Sequence, residues 1–108
     1  MAATPVTPVP ALNSQVAVGG TAVTVFGPAP NGGYLQNPAS ANDQGIGAAE
    51  DLIVNPVTAA VAPGVAGGVN GTNFRIPPGG GWNLIAGQTT PTSMNAATSG
   101  HKISGVSY

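Results

Sequence analysis

His101 is the only histidine of this 108-residue chain, so a catalytic triad or a histidine-based metal site must include it. Ser99 or Ser104 offers a hydroxyl, and Asp43, Glu50 or Asp51 a carboxylate, to complete a triad on paper. Neither serine lies in the Gly-x-Ser-x-Gly turn that presents a strained nucleophile. A lone histidine beside Lys102 at the start of a strand reads as a turn or edge residue, and no catalytic residue is assigned. Glu50 and Asp51 are neighbours, and neighbouring side chains on extended backbone point to opposite faces, which rules out a paired acid and base. They read as solvated loop carboxylates, since a calcium loop needs acidic ligands at several alternate positions. With no cysteine and one histidine, a structural zinc site is excluded. No metal and no cofactor is expected.

The remaining charge is equally sparse. Arg75 and Lys102 are the only cations, the net charge is −1, and no charged side chain precedes Asp43. Two cations are too few to displace counterions along a phosphate backbone, so nucleic acid is not an expected partner. The glycines of Pro77–Gly81 are not followed by Lys-Ser/Thr and form no phosphate loop; they read as a turn. Trp82 stacks on a sugar in one reading and anchors a core or interface in the other, and the second is favoured because few polar groups flank it. No apolar run reaches the length of about 20 residues that crosses a membrane. No basic residue precedes Arg75, so no secretory signal is read; synthesis in the cytoplasm, or an export not encoded in these residues, is expected.

The elements that would position these residues are short. The chain holds 17 glycines and 11 prolines, placed between apolar runs where turns need them. Residues 1–10 form a Pro-spaced extended arm, and residues 11–108 a single domain. Leu12–Val18 and Thr21–Phe26 are expected strands joined as a hairpin by Gly19-Gly20, the second alternating with period two. Tyr34–Gln36 is a short strand ending at Asn37-Pro38. The stretch from Ala39 to Glu50 has room for one helical turn, its glycines opposing more. Leu52–Val54 is the most apolar strand, stopped by Asn55-Pro56. After the Ala-, Val- and Gly-rich residues 57–71 and an Asn70-Gly71 turn, Thr72–Ile76 is a strand, and Trp82–Ile85 resumes it beyond the Pro77–Gly81 turn. Thr92–Asn95 and His101–Tyr108 follow, the last with His101, Ile103 and Gly105 on one face. Seven to nine such strands predict an all-β fold, a small β-sandwich or jelly-roll-like barrel with an extended Pro-rich N-terminal arm.

Such a domain buries about 64% of its unfolded surface. Its core is thin, with 23 Val, Ile, Leu and Phe residues and no disulfide, so homo-oligomerisation or docking on a larger body is expected to add buried area. The expected interface residues are Val6, Val9 and Leu12 along the arm, with Trp82 and Tyr108 in packed environments, core or interface.

The phrases GGYLQNP, ANDQGIGAAEDLIVNPV, NGTNFRIPPGGGW and VNG…NAATSGHKISGV cover the run from about Gly33 to Val106, the first starting at Gly32. In their strand-and-turn grammar they resemble small accessory proteins from the structural gene cluster of tailed bacteriophages. The resemblance implies a β-sandwich and a non-enzymatic virion role. The leading expectation is a capsid decoration or cement protein. It would bind the major capsid protein, or another virion protein, on the capsid surface after assembly in the host cytoplasm. The alternative is a receptor- or glycan-binding module of a tail, fibre or other surface adhesin.

Overall fold

Leu52–Asn55 is buried at every position, which a strand achieves only when both faces of its sheet are covered. The computed structural model describes residues 5–61 and 71–108 and shows how this comes about. Its strands are β1 (Val9–Pro10), β2 (Gln15–Val16), β3 (Val23–Phe26), β4 (Gly33–Gln36), β5 (Leu52–Asn55), β6 (Phe74–Ile76), β7 (Gly81–Leu84), β8 (Thr92–Asn95), β9 (His101–Lys102) and β10 (Ser104–Ser107). They build two four-stranded sheets, in the orders β1-β10-β4-β7 and β3-β8-β5-β6, and a β2-β9 ribbon. Every pairing is antiparallel. The nested pairs β1–β10, β3–β8, β4–β7 and β5–β6 are those of a jelly roll, so the expected all-β class is the observed one.

One hydrophobic cluster fills the space between the sheets. Leu35 and Leu84 come from one sheet, Phe26, Leu52, Val54, Ile76 and Met94 from the other, and Val16 and Ile103 from the region of the ribbon. Fully burying such side chains stabilises the fold by about 1.5–3 kcal/mol each. Val25 and Phe26 are both buried although adjacent, because the β3–β8 register shifts between Thr24 and Phe26. A bulge there interrupts the simple period-two alternation and turns two neighbours inward.

The outer face of β5 and β8 is covered by residues 56–61. Asn55 Oδ1 accepts from the Val57 and Thr58 N–H groups, both at 2.9 Å. The Ala60 N–H donates to Ser93 Oγ at 2.8 Å, and Asn95 Nδ2 donates to the Ala60 carbonyl at 3.0 Å. The Asn70-Gly71 turn expected after this segment falls partly on residues 62–70, outside the described residues. The anticipated single helical turn is α1 (Ala41–Gln44), capped by the Ser40 hydroxyl and ended by Gly45 at φ 74°.

Two local expectations give way to long-range pairing. The turn at Gly19-Gly20 forms, with the Thr21 N–H donating to the Val18 carbonyl at 3.0 Å, but no hairpin results. Instead β2 pairs with β9 and β3 with β8. Of the expected partner strand only its first two residues reach β3, where the Leu12 N–H donates to the Val25 carbonyl at 2.9 Å. Asn13 Nδ2 adds a bond to the Thr24 carbonyl at 2.7 Å. Likewise, the chain after Pro77–Gly80 does not resume the same sheet: β6 lies in one sheet and β7 in the other.

Gly19 is small because the turn packs on the segment before β9, where a Cβ would run into the Ala97 carbonyl; Gly20 at φ 84° has open space around it. Gly19→Ala should therefore be destabilising by about 1–3 kcal/mol through overpacking. Gly20→Ala should cost about 1–2 kcal/mol through left-handed strain alone. Urea denaturation checks this, with Gly19→Ala at least as costly.

Candidate functional site

The side chains that a triad would need do not assemble as one. His101 begins β9, an edge strand of the two-stranded ribbon as expected, but in phase with Ile103 its side chain points inward to complete burial. Asn37, in phase with Leu35 just beyond β4, meets it there: His101 Nε2 lies 2.7 Å from Asn37 Oδ1. Asn37 Nδ2 is committed to the Glu50 and Ile76 carbonyls, both at 3.0 Å. Its Oδ1 therefore faces the ring, and Nε2 carries the hydrogen and donates. Gln44 of α1 adds its own grip, its Nε2 donating to the Pro38 carbonyl at 2.7 Å and its Oε1 accepting the Glu50 N–H at 2.9 Å.

Glu50 is not a solvated loop carboxylate either. Its Oε2 accepts the Ala97 and Thr98 N–H groups at 2.9 and 3.2 Å and stands 3.8 Å from His101 Nδ1. Ser99 Oγ accepts the Gly19 N–H at 2.9 Å, Ser104 is exposed on β10, and Asp51 pairs with Arg75 at 3.1 Å. The ring nitrogen that a hydroxyl would need is thus occupied by a carboxamide. Among the described residues, no group of three or more His, Cys, Asp or Glu side chains is placed to hold a metal. Asn37 and Gln44 carry this node and were not singled out in the sequence. The only available signal was that Asn37 continues the inward phase of Leu35 past the apparent strand end.

The expected interface residues divide. Val9, Leu12 and Tyr108 converge on one uncharged groove of about 300 Å³, with Phe26, Pro28 and Pro30 completing its lining. Pairing of β1 with β10 brings Val9 beside Ser107, and the Tyr108 N–H donates to the Gly32 carbonyl at 2.9 Å. Val9, Leu12 and Tyr108 remain 47%, 62% and 40% exposed, so Tyr108 is not a core residue. Val6 is exposed farther out along the arm. Trp82 lies elsewhere, on β7, partly buried against the core with its ring 4.8 Å from that of Phe74 on β6. Its indole N–H is buried without a hydrogen-bond partner.

Charge is segregated from the groove. Asp43 lies on α1, Glu50 and Asp51 just before β5, Arg75 on β6, and the Lys102 stem beside Gly45. The surface thus has a charged side around α1 and an uncharged, partly apolar side around β1. Among the described residues, no helix is long and apolar enough to cross a membrane.

Compared with known proteins, the chain matches no family model, no curated protein and no solved structure.

Two outcomes follow from the node. Burial lowers the pKa of His101, the Glu50 carboxylate partly opposing it through its charge. The unfolded chain takes up this proton near pH 6.5, before the folded one does. The stability tied to a neutral ring is therefore complete above about pH 6.5 and is lost as pH falls toward the depressed folded value. The urea midpoint should be lower at pH 5.5 than at pH 7.5, and the difference should shrink in His101→Gln. Asn37→Ala orphans the buried His101 N–H and removes a donor from the Ile76 and Glu50 carbonyls, the latter keeping Gln44 Nε2 at 3.1 Å. It should destabilise the fold by at least about 1–3 kcal/mol, the cost of one such group, measured by the same titration.

Proposed function

We propose that the chain is a non-enzymatic structural protein of a virion, a capsid decoration or cement protein that binds the major capsid protein and stabilises the head. The observation that carries this reading is the uncharged groove formed by Val9, Leu12, Phe26 and Tyr108 beside an exposed, Pro-spaced arm. An apolar surface of this kind, on a domain with few charges to keep copies apart, suits a protein held against a lattice. The jelly roll adds support by analogy only, since the same architecture serves capsid and lectin domains. His101, the only histidine, is buried and hydrogen-bonded to Asn37, which supports a role without catalysis.

A second reading, a receptor- or glycan-binding module of a tail or fibre, draws on Tyr34. This side chain is 41% exposed on the outer face of β4 and lies over Gly81, where any Cβ would strike its ring. Gln36, Ser104 and Val106 line the shallow hollow beside it. An exposed aromatic among uncharged polar groups is a better sugar platform than the half-buried Trp82.

Purified chain added to phage heads lacking it should bind saturably, in fixed proportion to the major capsid protein, and raise their resistance to heat. Binding to tails or isolated glycans, with none to heads, would favour the second reading and overturn the first.

A further inference from the structure

The groove beside β1 is walled in part by the root of the arm itself. Val9 and Pro10 form one side, while the residues before them, Pro5–Pro8, leave the domain exposed. They cannot readily double back onto it. Pro8 and Pro10 hold Thr7 and Val9 in extended conformations, and a reversal over so few residues needs one of them to turn. The arm therefore projects, at about 3.1 Å per residue in polyproline II geometry.

The groove and the arm match in chemistry. Polyproline II repeats every three residues, so Pro5 and Pro8 fall on one face with Val6 and Thr7 between them. Pro-rich segments of this spacing dock into grooves lined by aromatic rings. Here Phe26 forms a buried floor and Tyr108 an exposed rim, with Pro28 and Pro30 alongside. Neither the arm nor the groove carries a charged side chain, so docking strips no side-chain charge of its water.

Strand addition, the other way an exposed edge recruits a partner, is disfavoured at β1. The Ala11 N–H donates to the Gly105 carbonyl at 3.2 Å, which places the polar groups of Ala11, and of Val9 two residues before, toward β10. Pro10 then presents its nitrogen outward, without a hydrogen to donate.

We propose that the Phe26–Tyr108 groove receives the Pro5–Pro8 arm of a second copy of this chain, the two copies exchanging arms reciprocally. The proposal rests on the assembly reading above in treating the exposed arm as an association element. One short arm buries less than a specific interface typically does, on the order of 1,200–2,000 Å² in total, so the second arm and contact between the domains beside the grooves each add to it.

Analytical ultracentrifugation of the full chain over a range of concentrations tests the exchange. The wild-type chain should dimerise with little dependence on salt. Val6→Asp on the arm and Tyr108→Ser on the groove should each weaken dimerisation at least tenfold with unchanged circular dichroism. Mixing the two variants should restore part of the association, because one intact arm then meets one intact groove. A chain that stays monomeric at its solubility limit would overturn the proposal, as would dimers that neither substitution weakens or a mixture that restores nothing. A monomer that still binds heads in fixed proportion would sink the arm exchange and leave the structural role standing. Arm-dependent dimers that bind no heads would do the reverse.

Discussion

The Asn37 carboxamide is the fastening on which the architecture depends. It stands at the end of β4, in one sheet, and donates to the carbonyl of Ile76, in the other. The same side chain holds the Glu50 carbonyl before β5 and accepts from His101 on the ribbon and Gln44 on α1. Sheets that meet only through apolar side chains can slide, because hydrophobic contact has no direction. A buried amide with four partners in fixed directions removes that freedom. Deep burial strengthens each of these bonds, and makes each expensive to leave unmade.

Around that point, pairing is almost wholly non-local. The β1–β10 and β2–β9 pairs join residues from opposite ends of the described chain, and their register slips by one residue between them. The slip falls where Leu12 and Asn13 leave the ribbon to bond β3, so an irregularity in one pair allows the other sheet to be closed. Such topology obliges long loops to close before their contacts are rewarded, which favours slow folding. The small turns tied by Gly20, Gly45 and Gly79 lower that burden locally without choosing partners.

Much of the strand inventory was legible because turn chemistry is local. Asn55-Pro56 ends β5, the stretch with room for one helical turn holds α1, and Thr92–Asn95 is β8 as read. Partners were not legible. Gly19-Gly20 carries a good hairpin signal, yet β3 pairs with β8, which no spacing reveals, and only Leu12 and Asn13 of the expected partner reach its other edge. Burial of His101 was implicit in its shared phase with Ile103, but its polarity beside Lys102 suggested an edge. Glu50 looked solvated for the same reason, since the N–H groups that hold it belong to a turn far along the chain. Val9, Leu12 and Tyr108 were recognisable as apolar candidates; that they share a groove while Trp82 does not depends on the β1–β10 pairing.

A nearly uncharged β protein kept at high local density risks runaway polymerisation, in which sheet edges join copy after copy into fibres. Two of the outer strands here are guarded without any charge. Leu12 and Asn13 occupy the β3 edge, and position 10 of β1 is an imino acid. Neither edge offers a second copy an endless ladder of main-chain bonds, which leaves side chains as the means of contact on that side. Protection from edge-to-edge pairing, which many small domains secure with surface lysines, comes on this side of the molecule from backbone geometry.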